Sequence, residues 1–308
     1  MKNRCKLLPL LLALLLLCAC APDPLVGDPD GTAAFTDSTG HTFSLSAAPQ
    51  RVAVLFSSLA DVWTLAGGEI AITVGESVER GICTEDVILV DSGAGKTVNT
   101  ELLIASAPDL VLLSADVPAQ LEAAALLREA GIPTAALRIE SFADYLTVLK
   151  LCTDITGNAD RYALHGTSQS ARIEAAVSTQ PFAGQRVLFV RAGTSARSVK
   201  PKGRADHFAA AMLTELGAAN IADDAPVLAD GLSMEYILQE DPDHIFFVAM
   251  GDEEASRAYV DEMLTGAEWQ ALSAVQAGRV YFLPKESFHY KPGAKWADCY
   301  ELLAEKAD

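Results

Sequence analysis

From Arg51 onward the chain alternates between short unbroken apolar runs and longer stretches whose apolar residues recur every three or four positions. Runs of four to six apolar residues read as strands buried on both faces, and the wider spacing reads as amphipathic helix. RVAVLF (51–56), AITVGE (71–76), VILVD (87–91), LVLLS (110–114) and PTAALR (133–138) are the expected strands of a first unit. Helices are expected over 58–67, near 99–106, and over 119–130 and 141–155. A second unit repeats the alternation. Its strands are RVLFV (186–190), HIFFVA (244–249) and RVYFLP (279–284), with helices near 205–217, 232–240 and 253–264 and a closing helix from Trp296 to Lys306. Ahead of both units, FTDSTGHTFSLS (35–46) alternates in twos about Ser38-Thr39-Gly40, the pattern of a β-hairpin.

Strands alternating with helices imply parallel sheets covered on both faces. Between the two units, Asn158 to about Gln180 has neither a strand pattern nor a turn cluster, and asparagine caps helices well. A helix over that span would reach roughly 33 Å. Gly166 and several hydroxyl residues weaken its propensity, so packing must help to hold it. The expected fold is therefore α/β: two Rossmann-like lobes joined by one long rigid α-helix, with a ligand cleft between the lobes. The expected divisions are a first lobe at 32–157, a linking helix at 158–180 and a second lobe at 181–308.

The first 31 residues follow a different pattern. MKNRCKLLPLLLALLLLCAC holds Lys2, Arg4 and Lys6, then an apolar core from Leu7 to Leu17, then small residues, which is the order of an export signal. The core is shorter than the about 20 apolar residues that a spanning helix needs. Leu17-Cys18-Ala19-Cys20 resembles a lipobox, so residues 1–19 are expected to be removed and Cys20 to carry a lipid. Residues 20–31, rich in Pro, Gly and Asp, read as a flexible tether.

Charge and cysteine usage narrow the function. The net charge is −18, and residues 1–19 hold three cations and no acid, so the remainder carries −21. A surface that acidic repels nucleic acid and anionic membrane, which leaves the lipid as the membrane attachment. Beyond Cys20 only Cys83, Cys152 and Cys299 remain, without the paired spacing of a zinc site. One disulfide at most is possible. Cys83–Cys152 is the candidate pair, with buried free thiols as the alternative.

VILVDSGAGKTVNTELL (87–103) looks at first like a phosphate-binding loop. That loop requires a glycine five positions before Gly95, where the chain has Val90 inside a strand. The turn is too short to wrap phosphates, and nucleotide binding is excluded. DSGAGKT reads instead as a lobe-tip loop whose glycines admit a ligand and whose Lys96 can touch it.

Several segments, taken in order, resemble the ABC-transporter solute-binding proteins for iron–siderophore, haem and cobalamin. TDSTGHTFSLSAAPQRVAVL resembles that family's opening hairpin and first strand, and NTELLIASAPDLVLLS its glutamate-bearing helix followed by Pro-Asp and an apolar strand. SMEYILQEDPDHIFFV repeats that arrangement in the second unit, and RVYFLP is similar to the late strand. The resemblance runs from about Thr32 to Ala307. It implies two lobes that close only slightly about a stiff helix, ligand held between them, and delivery to a membrane permease with its ATPase. It also implies that Glu101 and Glu235 engage the permease, one from each lobe; as residues alone, each is equally a helix-start glutamate favoured by the helix dipole.

Ligands of open α/β sheets sit at the carboxyl ends of the strands, which nominates Phe56, Ser57, Ser58, the loop from Ser92 to Lys96, and Ser114. RAGTSARSVKPKGRADH (191–207) gathers Arg191, Arg197, Lys200, Lys202 and Arg204, five of the 20 lysines and arginines beyond residue 19. It reads either as a solvated basic loop or as an electropositive lip for carboxylate or catecholate oxygens, which arginine binds through two parallel hydrogen bonds. PKESFHYKPGAKW (284–296) adds Lys285, Phe288, His289, Tyr290, Lys291 and Trp296. Rings beside cations suit a flat chelate, although Phe288, Tyr290 and above all Trp296 could instead pack the last helix. Of the five histidines, His41, His165 and His244 fall in structural or surface positions. His207 and His289 fall on the cleft side, where either is a candidate haem ligand, with Tyr290 as partner.

The leading reading is a monomeric, lipid-anchored extracytoplasmic receptor that passes an anionic ferric siderophore to an ABC importer, without enzymatic activity or a resident cofactor. Haem and cobalamin are the alternative cargoes within the same class. An exported two-lobe enzyme is the alternative class. It would require a nucleophile beside a base, and Ser57 and Ser58 have no histidine that the sequence puts next to them.

Overall fold

The computed structural model describes residues 33–91, 97–193, 198–223 and 233–307. The expected signal, tether and lipid-bearing Cys20 lie outside the described residues. The described chain forms two α/β lobes. Strands β1 (Ala33–Thr36) and β2 (Thr42–Leu45) make the antiparallel hairpin. Its turn is tied to the first lobe by Asp37, which accepts from the amide of Ala136 at 2.9 Å and from Arg128 Nη2 at 2.8 Å.

The first lobe is an all-parallel sheet built from β3 (Val52–Val54), β4 (Ile72–Thr73), β5 (Ile88–Leu89), β6 (Leu110–Ser114) and β7 (Thr134–Leu137), in the order β5-β4-β3-β6-β7. The second contains β8 (Arg186–Ala192), β9 (Val199–Pro201), β10 (Ala219–Asn220), β11 (His244–Ala249) and β12 (Val280–Leu283). There β10-β8-β11-β12 run parallel, and β9 pairs antiparallel with β8. β3, β4, β6, β7 and β11 are buried at every position, as their unbroken apolar runs require, whereas β5, β9, β10 and β12 are partly exposed.

Successive strand residues point to opposite faces, so each sheet feeds two cores. Ala53, Leu55, Val111 and Leu113 pack on one side of the first sheet, and Leu188, Val190, Ile245 and Phe247 on one side of the second. The other faces, with Val54, Leu112, Phe189 and Phe246, join one continuous core that crosses from lobe to lobe. Tyr145 and Leu149 of the helix Phe142–Thr156 and Trp296 and Leu303 of the helix Trp296–Ala304 complete it. Trp296 is packed between the lobes, with ring centroids 5.8 Å from Phe142 and 5.6 Å from Phe208.

The chain between the sheets is helical over Ala159–Tyr162 and Ser168–Ser178, with a wider π-helical turn at Ala163–Thr167 where an uninterrupted α-helix was expected. The His165 carbonyl accepts from Tyr145 Oη at 3.0 Å and from Gln169 Nε2 at 2.6 Å. Gly166 lies against the helix Phe142–Thr156, where a β-carbon would come within 3.1 Å of Leu146. Close packing at Gly166 and side chains claiming a carbonyl are the conditions under which a helix widens locally.

Two further expectations are corrected. AITVGE is a strand only at Ile72–Thr73, after which Gly75–Glu79 turns into a helix. Cys83, Cys152 and Cys299 are all free thiols, so the Cys83–Cys152 pair is not formed. Cys152 faces the shared core, whereas Cys83 is half-exposed. No helix among the described residues is long and apolar enough to cross a membrane.

Candidate functional site

The carboxyl ends of both parallel sheets turn toward one cavity of about 580 Å³. From the first lobe come Phe56, Ser57 and Ser58 after β3, Val74 and Glu76 after β4, Asp91 after β5 and Glu140 after β7. Arg191 at the end of β8, His207 and Phe208 beyond β9, Met250 after β11, and His289, Tyr290 and Lys291 after β12 come from the second. A side chamber of about 160 Å³ shares Phe56, Ser58, Glu140 and Lys291 and reaches Ser114.

The floor lies where the strand order of the first sheet switches sides, between the parallel neighbours β3 and β6. Gln120, buried in the helix Pro118–Glu129, closes that crevice. Its Oε1 accepts from the Ser114 amide at 2.7 Å, and its Nε2 donates to the Leu55 carbonyl at 2.8 Å. Ser114 Oγ accepts from the Asp116 amide. Ser57, 1% exposed, donates to Glu76 Oε2 and accepts from Arg80 Nη1 at 2.9 Å. No histidine hydrogen-bonds Ser57 or Ser58 among the described residues, and Ser57 is held between a carboxylate and a guanidinium.

Two contacts cross the cleft. The Arg80 guanidinium lies over the Tyr290 ring, 4.2 Å from its centroid, and Lys291 Nζ is 2.9 Å from Glu140 Oε2. Adjacent residues of the second lobe thus grip two sites on the first. Burial raises the Tyr290 hydroxyl pKa, helped by the negative charge of Glu76.

Five carboxylates line the described cavity; Glu79 makes no hydrogen bond or ion pair among the described residues, and Asp206 accepts from the Gly203 amide at 3.3 Å. Asp91 accepts from the Gly75 amide at 2.9 Å, Glu76 holds Ser57 and Glu140 holds Lys291. Arg191 Nε, by contrast, is buried without a hydrogen-bond partner among the described residues. Burial, with the positive charges of Lys291 and Arg191 beside it, pushes the His207 pKa down to about 3; burial and Lys285 push His289 down to about 4. Both imidazoles are therefore neutral at ordinary pH.

The cavity brings together Phe56, Ser57, Ser58, Arg191, His207, His289, Tyr290 and Lys291 among the residues nominated from sequence. It does not gather the basic segment as a lip. Lys200 is exposed on β9, Lys202 is half-buried beneath it and Arg204 faces Asp223, so Arg191 alone of the described cations there lines the cavity. Lys96 and Arg197 lie outside the described residues. Phe288 and Trp296 belong to the core. Sequence reasoning missed Glu76, Arg80, Gln120, Glu140 and Phe208. Glu76 and Arg80 left no periodic signal, because the strand before them has two residues and the helix there five.

Glu101 and Glu235 are both exposed, each in the first turn of a helix capped by a side chain. Asn99 caps Thr100–Ala105 and Ser233 caps Met234–Glu240. Each segment then passes through a left-handed residue, Ala107 (φ 48°) or Asp241 (φ 41°), into Pro-Asp. Asp109 accepts from the Arg51 amide at 2.9 Å and Asp243 from the Arg186 amide at 2.7 Å, pinning β6 beside β3 and β11 beside β8. The repeated motif is thus one structural device used once per lobe.

A family model described as periplasmic binding protein matches residues 52–287. No curated protein matches the chain. Among solved structures, the chain is similar to the periplasmic catecholate-siderophore binding protein VctP of Vibrio cholerae, with 13% identity, 90% of this chain and 99% of that one covered, and a TM-score of 0.69. It is also similar to the periplasmic vitamin B12 binding protein BtuF of Vibrio cholerae (16% identity, 84% and 97% covered, TM-score 0.67). A third is the periplasmic heme-binding protein RhuT of Roseiflexus sp. RS-1 (19% identity, 84% and 97% covered, TM-score 0.66). At these identities the likeness is one of fold.

Proposed function

The chain belongs to the periplasmic binding protein family, and from that premise we propose that it is the receptor of an ABC importer for a ferric siderophore. It is a binding protein and not an enzyme. The observation that carries the cargo assignment is the lining of the cleft. Phe56 from one lobe and Phe208 and Tyr290 from the other offer ring surface beside Arg191 and Lys291. Aromatic faces and cations together suit a flat, oxygen-rich, anionic chelate. Arg191 Nε, buried without a hydrogen-bond partner among the described residues, supports the same choice.

Haem and cobalamin are the competing cargoes, since structural neighbours carry those names as well as a siderophore's. Trp296 supplies the test, because it packs on Phe208 of the cleft wall. Fluorescence of the protein lacking residues 1–19 would be titrated with ferric tris-catecholate, ferric citrate, hemin and cobalamin. Saturable quenching by a ferric chelate, weakened about tenfold or more in Arg191→Ala, supports the assignment. Tight binding of hemin or cobalamin alone keeps the receptor and changes its cargo. Silence from all four removes the receptor reading.

Attachment and docking belong to the same proposal. A lipid on Cys20 holds the receptor at the membrane, and Cys20→Ala should release it into the soluble fraction. Exposed Glu101 and Glu235 meet cations of the permease. Glu101→Ala with Glu235→Ala should abolish uptake while leaving chelate affinity unchanged; undiminished uptake rejects the docking role.

A further inference from the structure

His207 precedes the helix Phe208–Glu215, and its Nδ1 accepts a hydrogen bond from the Ala209 amide at 3.2 Å. The ring is stacked on that of Phe208 and tilted against that of Phe189, with both centroid distances 4.8 Å. It is 8% exposed and lines the cleft. A neutral imidazole has one protonated nitrogen. If Nδ1 is the acceptor, the proton must be on Nε2, for which no protein partner stands among the described residues. A protonated ring nitrogen has no lone pair for a metal.

We propose that His207 is a fixed hydrogen-bond donor, whose Nε2–H meets an acceptor oxygen on the rim of the cargo, and is not a metal ligand. The inference rests on the receptor reading and sharpens it. The cargo this histidine selects carries peripheral oxygen atoms, and its metal arrives with its coordination already filled by the chelator. The two ring contacts and the backbone bond to Ala209 resist the ring flip that would present a bare nitrogen. Burial disfavours a charged ring, and the positive charges of Lys291, Arg191 and Lys202 add to that. Their charge favours the neutral form and so keeps one donor and one acceptor on the ring.

The test separates the donor from the helix cap. A long-range proton–nitrogen correlation spectrum of labelled, unliganded protein, assigned with His207→Asn, should show a neutral ring protonated at Nε2; a proton on Nδ1, or on both nitrogens, overturns the proposal. With ferric tris-catecholate, His207→Gln retains a donor near the Nε2 position and should bind like the wild type. His207→Asn keeps a cap acceptor but loses that donor, and with His207→Phe should bind about fivefold more weakly, as one hydrogen bond is worth. The reverse ranking, Asn above Gln, would reduce His207 to a helix cap. With hemin, wild type and His207→Phe should give the same absorption spectrum, and a change confined to the variant would make His207 a ligand. If no chelate binds the wild type, the receptor reading falls and takes the donor's acceptor with it, while the spectrum still decides which nitrogen carries the proton.

Discussion

The guanidinium of Arg80 in the first lobe and the ring of Tyr290 in the second are stacked across the cleft, 4.2 Å from carbon to centroid. Arg80 also donates to Ser57, so one side chain links the cleft floor to the opposite lobe. A double-mutant cycle with Arg80→Ala and Tyr290→Ala, read by urea unfolding, should give a coupling of about 0.5–2 kcal/mol. Strict additivity would mean that the stack contributes nothing.

Lys291 is 19% exposed and bound to Glu140, which is 53% exposed. Pairs of this kind are weak and screened by salt. Glu140→Gln frees the ammonium for the cargo. Binding of ferric citrate or ferric tris-catecholate should tighten about twofold to fivefold at low salt, the worth of an exposed pair, with the gain shrinking as salt is added. Weaker binding would show that Glu140 itself contacts the cargo.

Gln120 satisfies the Ser114 amide and the Leu55 carbonyl inside the sheet. Gln120→Leu strands both groups and should cost about 2–6 kcal/mol, at about 1–3 kcal/mol for each unmade bond. The midpoint of urea unfolding measures it. A loss below about 1 kcal/mol would mean that water replaces the amide.

Asp61, on the first lobe, meets Gly293 of the second so closely that a β-carbon there would overlap its Oδ2. Burial raises the Asp61 pKa, against the lowering effect of Arg80 and Lys295. The folded carboxyl therefore holds its proton more firmly than the unfolded one. Its contribution is full below the unfolded value near 3.8 and is lost as pH rises through the folded value. Asp61→Asn should melt higher than the wild type at pH 7, with the difference narrowing toward pH 4. A lower melting point at pH 7 would mean that the attraction of Arg80 and Lys295 outweighs burial.

The strands were the most readable part of the chain. β6 and β11 have the bounds that their apolar runs indicate, because a strand buried on both faces needs apolar residues at nearly every position. The twin Pro-Asp motifs were readable because each fixes one backbone junction. Glu76 and Arg80 were not, since a two-residue strand running into a five-residue helix has no period to detect. Lys200 and Lys202 shared the composition of a binding loop, yet Lys200, although paired with Arg191 across the hairpin, is exposed on an edge strand, and the cavity gains only Arg191. Cross-cleft pairs such as Glu140 with Lys291 join residues far apart in sequence, and local pattern carries no information about them.

The core that crosses between the lobes sets how the protein comes apart. Val54, Phe189, Tyr145, Trp296 and Leu303 belong to one apolar mass, so neither lobe owns a complete interior. A fragment ending in the linking segment would expose half of that interior to water and should aggregate. Calorimetry of the whole chain should record one melting event for both lobes, a single unit of cooperativity.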